Sequence, residues 1–227
     1  MKITLAVNSF YITYVFLLTT TVITFIEALR SPIPIVRHIL NVETCISIIA
    51  SYFYGVFIEE INKAQSQLRS EKEISIPIEK INNMRYIDWA ITTPFMLLAL
   101  SMVLSYENKT VVKIYPYLLT LVFNFAMLAF GYLGELKLLN RNIASFIGFI
   151  FFFLTYGTIW KFFMTGSKVT PQSKFIFWIF LGTWSFYGLF YHAKESTKMF
   201  GYNVLDLISK AFVGIFFWLY LTKSVVF

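Results

Sequence analysis

The sequence predicts an all-α protein, a single bundle of seven membrane-spanning helices, and three observations carry that prediction. Of its 227 residues, 58% are hydrophobic and 14% charged, whereas a soluble domain averages roughly 45–50% apolar and about 25% charged residues. Seven apolar runs stand between polar breaks, at about 5–29, 36–61, 84–105, 114–135, 142–165, 173–193 and 202–223. Each reaches the length of about 20 residues that a helix needs to cross a bilayer. The connections between them are short, which favours antiparallel neighbours within one domain covering 1–227. A soluble globular domain, a disordered chain and a nucleic-acid module are excluded. The net charge of +7 does not revive the last, because the basic residues are scattered singly between apolar runs. The one cysteine, Cys45, excludes an internal disulfide or a cysteine-based metal cluster, and no metal site is expected.

The first run follows Met1-Lys2 but is longer than the 7–15 residues of a signal-peptide core and lacks a small-x-small cleavage site, so it is read as helix one. The second carries Glu43, Ser47, Ala50 and Tyr54 on one face. The polar stretch from Asn62 to Asn83 holds Glu71, Lys72, Glu73, Glu79 and Lys80. Within it, Ile74-Ser75-Ile76-Pro77-Ile78-Glu79 alternates as an edge strand or hairpin would, a signal tempered by Pro77. His38 and His192 lie towards helix ends and are read as having no role in the chemistry, and Gly182 is read as a helix-packing position. The distribution of Lys and Arg between the two sides does not orient the chain.

A charge inside a spanning helix costs about 2.5–3.5 kcal/mol on insertion scales, which makes it a functional candidate by default. Lys210 sits mid-helix in run seven, with Asp206 one turn earlier on the same face. That pair admits two readings, a structural Lys–Asp couple or a lysine held for Schiff-base chemistry with a carbonyl ligand. Run three carries Arg85, Asp88, Trp89, Thr92 and Met96 at helical spacing, one stripe with a cation, an anion, an aromatic wall and a hydroxyl. A buried cation needs nearby carboxylates, because desolvation alone disfavours its charged form. Asp88 and Asp206 could supply them, Arg85 would balance the excess negative charge, and Thr92 is expected to hydrogen-bond the Asp88 carboxylate.

Arg85-Tyr86-x-Asp88-Trp89-x-x-Thr92-Thr93-Pro94, together with Asp206-x-x-x-Lys210, resembles the microbial (type 1) rhodopsins. Trp184-x-x-Tyr187-Gly188-x-x-Tyr191 is similar to the family's sixth-helix pattern, with Gly188 for the usual proline and Tyr191 for the usual tryptophan. Asn124-x-x-Met127-x-x-x-Gly131-Tyr132-x-Gly134-Glu135 fits the fourth helix, with Asn124 where many relatives have Asp. The resemblance implies all-trans retinal bound covalently to Lys210. Trp89 and Trp184 would sandwich the polyene, and Tyr86, Met96, Met127, Gly131, Gly148, Tyr187 and Tyr191 would line its pocket. Glu43, Trp218, Gly188 and the Glu27–Arg30 pair resemble the group-2 viral rhodopsins of giant viruses, a branch near the proteorhodopsins. That branch implies a homo-oligomer in membrane lipid, with a pentamer favoured, an extracellular N-terminus and a cytoplasmic C-terminus.

Within the family, an acid at Asp88 with Thr92 one turn on resembles the outward proton pumps, with Asp88 as acceptor and protons as the transported ion. Ala99 stands where such pumps commonly carry the acid that reprotonates the Schiff base. Glu43, expected at about the depth of Trp218 on the side opposite Asp88, is the candidate substitute. The alternatives are a light-gated cation or proton channel and a slow sensory rhodopsin. The Ala211 next to the lysine departs from the asparagine of the cation-channel branches, and no enzymatic domain is expected.

Overall fold

The structure, a computed structural model, describes residues 3–66, 76–166 and 169–223. Seven helices succeed one another in chain order, and no strand occurs among the described residues. They are α1 (Ile3–Arg30), α2 (Pro34–Ser66), α3 (Ile78–Glu107), α4 (Ile114–Glu135), α5 (Arg141–Phe163), α6 (Pro171–Phe190) and α7 (Glu195–Leu221). Six are long and apolar enough to cross a membrane. The shorter α6 is not among them. Its 20 residues are diluted by Gln172, Ser173, Lys174, Thr183 and Ser185.

The ends depart from the predicted runs where polar residues find partners inside the protein. α3 begins at Ile78 rather than near 84, because Ile81, Asn82 and Arg85 are buried. Pro77 stands at its N-cap, and Glu79 in its first turn suits the positive end of the helix dipole. The strand signal over 74–79 is therefore corrected at Ile78-Glu79, which are helical, while Glu71, Lys72, Glu73, Ile74 and Ser75 lie outside the described residues. α7 begins at Glu195 rather than near 202, because its polar first turns are held by ion pairs instead of lipid. Asn140 caps α5 through its side chain, and Thr170 caps α6 just before Pro171.

Two apolar clusters fill the interior. The larger joins α2, α3, α5, α6 and α7 through Ile39 and Leu40, Leu100 and Val103, Phe152 and Ile159, Phe177 and Phe180, and Phe217. The smaller packs Phe10 and Leu17 of α1 against Tyr54 and Phe57 of α2 and Met199 and Ala211 of α7. Between them α7 widens into a π-helical turn over Leu207–Phe212, and Lys210 lies within it. The Thr20 hydroxyl of α1 donates to the Ala211 carbonyl at 3.3 Å, giving the disturbed ladder an outside partner.

Candidate functional site

Lys210 is 1% exposed and Asp88 and Asp206 are fully buried, so their geometry decides what each can do. Lys210 Nζ donates to Asp88 Oδ2 at 2.6 Å and stands 3.5 Å from Asp206 Oδ1. Arg85 Nη1 reaches Asp206 Oδ2 at 3.0 Å. Two cations therefore face two anions, and the cluster is neutral as a whole. Such a cluster is tolerable in a low-dielectric interior only when its remaining hydrogen bonds are made.

They are made unequally. Asp206 accepts from the hydroxyls of Tyr54 and Tyr187, each at 2.8 Å, from Arg85, and from the Trp89 indole N–H at 3.3 Å. Arg85 is held further by Asn203 Oδ1 at 2.7 Å, and Asn203 in turn donates to Ser9. The rings of Phe10, Phe57 and Tyr202 surround the guanidinium at 5.1–5.7 Å. Among the described residues Asp88 has a single side-chain donor, Lys210, and its Oδ1 has no hydrogen-bond partner. Thr92 does not bond the Asp88 carboxylate as expected. Its hydroxyl donates to the Asp88 backbone carbonyl at 2.8 Å, the usual recourse of a threonine inside a helix.

Lys210 ends in a cavity of about 120 Å³ between α3, α4, α5, α6 and α7. All ten positions expected to line a chromophore pocket fall on its wall: Lys210, Tyr86, Trp89, Met96, Met127, Gly131, Gly148, Trp184, Tyr187 and Tyr191. Phe149, Phe152, Ser145 and Tyr202 also line it, and no local sequence signal pointed to them. Gly188 matters here through what it lacks. A Cβ there would lie 2.3 Å from Phe149 Cζ, so the bare backbone admits the Phe149 ring to the wall. An apolar, aromatic-walled slot with one amine at its end fits an elongated apolar aldehyde such as retinal.

Glu43 stands apart. It is 2% exposed, and among the described residues no side chain hydrogen-bonds its carboxylate. Its Oε2 would lie 3.3 Å from a Cβ on Gly214, beside the Thr20 and Thr24 methyls. Gly214 is four residues past Lys210, about 6 Å along the helix. Glu43 thus reaches α7 nearer the lysine than Trp218, whose depth it was expected to share, because the glycine leaves room for its carboxylate. At the opposite end, the sequence reading missed a second charge cluster. The buried Lys198 pairs with Glu135 at 2.7 Å and Glu195 at 2.8 Å, Asn82 donates to Glu135, and Arg141 stands over the Tyr191 ring.

Comparison with known proteins gives the frame for this geometry. A profile of the bacteriorhodopsin-like protein family matches residues 4–224. Among solved structures, the viral rhodopsin OLPVRII is 40% identical, with a TM-score of 0.85 over 98% of this chain and 100% of that one. A blue light-absorbing proteorhodopsin from Med12 shares the fold at 22% identity and a TM-score of 0.76, over 96% of this chain and 98% of its own. The proton pumping rhodopsin AR2 from the marine alga Acetabularia acetabulum does so at 15% and 0.72, over 96% and 95%. No curated protein sequence matches the chain. The family match along nearly the whole chain and the 40% identity to a viral rhodopsin lead to one conclusion: this multi-pass membrane protein belongs to the bacteriorhodopsin-like family, the microbial rhodopsins.

Proposed function

We propose that the protein is a light-driven outward proton pump in which Lys210 carries the exchanged proton and Asp88 accepts it. The observation that carries this reading is the 2.6 Å contact of Lys210 Nζ with Asp88 Oδ2 at the end of the aromatic cavity. All-trans retinal, joined to Lys210 as a Schiff base, would supply light absorption and an isomerisation that re-aims the nitrogen's N–H. Trp89 and Trp184 would hold it, with Tyr86, Met96, Met127, Gly131, Gly148, Tyr187 and Tyr191, which line the same cavity, completing the slot.

The two carboxylates divide the work by their hydrogen bonds. Asp206 is bound by four donors, and a proton placed there would have to displace one of them. Asp88 has an oxygen with no partner among the described residues and can take the Lys210 proton without breaking any other bond seen there. Arg85 stays on Asp206 and keeps that anion compensated while Asp88 is neutral. Glu43, on the far side of Lys210 and near it along α7, serves as the donor that Ala99 does not provide. To do so it must carry a proton before the cycle begins.

The pump is expected to work as a homo-oligomer, a pentamer by its likeness to the viral branch, with the N-terminus outside and the C-terminus in the cytoplasm. The test is light-driven pH change in vesicles of retinal-loaded protein, with and without a protonophore. A protonophore-abolished change that is lost in Asp88→Asn supports the pump. A current reversing at an ion's equilibrium potential assigns a channel instead. Lys210→Ala should give colourless protein, and a visible band surviving hydroxylamine in the light would overturn the attachment.

A further inference from the structure

Three hydroxyls on the side of the cavity away from Arg85 break a habit of this chain. Thr44, Ser47, Thr93, Thr120, Thr155 and Thr158 each donate to a backbone carbonyl one turn earlier. Among the described residues Ser101, Ser105 and Tyr156 find no hydrogen-bond partner for their hydroxyls, although they are only 0%, 3% and 1% exposed. An unpaired buried hydroxyl costs about 1–3 kcal/mol. Native interiors meet that cost with ordered water wherever polar groups stand close enough to share it.

The helix register sets these three at neighbouring levels of α3 and α5. α3 and α5 run in the same direction. Near their starts, Asn82 and Arg141 both reach Glu135. At their ends, Asn108 donates to the Phe163 carbonyl at 2.8 Å. Two turns before Asn108 and Phe163 stand Ser101 and Tyr156, at matching height and on the same two faces. Ser105 falls between Ser101 and Asn108 on that stripe. The row reaches the cavity at Trp184, whose ring lies 5.9 Å from that of Tyr156 and whose indole N–H likewise has no partner among the described residues. It reaches the start of α6 at Asn108, whose side-chain oxygen accepts from the Thr170 N–H and the Ser173 hydroxyl.

We propose that Ser101, Ser105 and Tyr156 hold a file of water between α3, α5 and α6, and that this file gives Lys210 a route to protons separate from Glu43. The kinetic part rests on the reading of Lys210 as the proton-exchanging group. The chemistry needs only hydroxyls that donate and accept in turn, spaced by water, with no further carboxylate on α3. Because Glu43 meets α7 from the α1 and α2 side, the two routes approach Lys210 from different directions.

The test makes Ser101→Ala and Tyr156→Phe in the full retinal-loaded chain, singly and on a Glu43→Gln background. Thermal unfolding is measured together with the flash-induced decay of the deprotonated Lys210 nitrogen. Each substitution should leave the melting temperature unchanged or lowered. On the Glu43→Gln background each should slow reprotonation by about threefold or more, the scale of one lost hydrogen bond. Deleting a dry, unpaired hydroxyl would instead raise the melting temperature. Either that rise or an unchanged decay on the Glu43→Gln background overturns the file. If the wild-type protein never deprotonates at Lys210, the pump reading fails by itself, and the melting temperatures alone decide the water site.

Discussion

The two sides of Lys210 are built on opposite plans. Towards Arg85, polar groups from α1, α2, α3, α6 and α7 form one continuous net, in which Asp206 alone has four donors and Asn203 links Arg85 to Ser9. Towards Asn108, α3, α6 and α7 present Leu97, Leu100, Val103, Phe180 and Phe217, and among the described residues no side chain hydrogen-bonds the buried carboxylate of Glu43. Ionised groups are held by redundant partners on the first side, whereas on the second the Glu43 carboxyl is enclosed by apolar groups. Substitutions should therefore act mainly on stability towards Arg85 and mainly on rate towards Asn108.

The largest effect is expected from Arg85→Gln. It leaves Asp206 buried without its guanidinium and shifts the cluster from neutral to one negative charge, a loss of about 3–5 kcal/mol for a broken buried pair. Thermal or detergent-induced unfolding of the pigment measures it, and a change under about 1 kcal/mol would show that the net is not held by charge. Next is Gly214→Ala, whose added methyl would meet the Thr20 methyl at 2.8 Å and Glu43 Oε2 at 3.3 Å. Overpacking of this kind costs about 1–3 kcal/mol, and here it should also alter the rate set by Glu43. An alanine variant with wild-type stability and wild-type decay would separate Gly214 from that carboxylate.

Glu43→Gln should slow reprotonation of the Lys210 nitrogen about tenfold, near 1.4 kcal/mol in barrier, while its deprotonation and the unfolding midpoint stay close to wild type. Azide should restore part of the rate. Unchanged decay would make Glu43 a packing residue and leave the comparison standing on stability alone. The smallest effect belongs to Thr92→Val. Because that hydroxyl serves the Asp88 carbonyl and not its carboxylate, the absorption maximum should stay where it is in the wild type and the transfer rate should change by less than about twofold. A large spectral shift would put the hydroxyl back on the carboxylate.

How much of the site was legible in the sequence depends on the range of each signal. Asp206 and Lys210 are four residues apart and the Arg85 stripe repeats at helical spacing, so both announced their shared faces directly. The cavity wall was legible because its aromatics and glycines stand in register with Lys210 on several helices at once. Lys198 and Glu135 are separated by 63 residues and carry no local pattern, and a lysine near a helix start reads as a solvated end. Thr92 misled because one-turn spacing brings a hydroxyl near a carboxylate and near that residue's carbonyl alike, and the carbonyl won. Ser101, Ser105 and Tyr156 looked like ordinary helix residues, since only the parallel course of α3 and α5 aligns them.

The widened turn at Leu207–Phe212 has a mechanical consequence. One residue more than a regular turn requires rotates the remainder of α7 by about 100° around its axis. α7 is thus two shafts joined out of phase, with the lysine as the crankpin between them. The lower shaft presents the bare Gly214 to Glu43 and lends the Ala211 oxygen to Thr20 only because of that offset. Removing a single residue from 207–212 would restore an unbroken ladder and straighten the rod. It would also swing every contact below the lysine a quarter turn away from the neighbour it now meets, so a better helix here would make a worse lever.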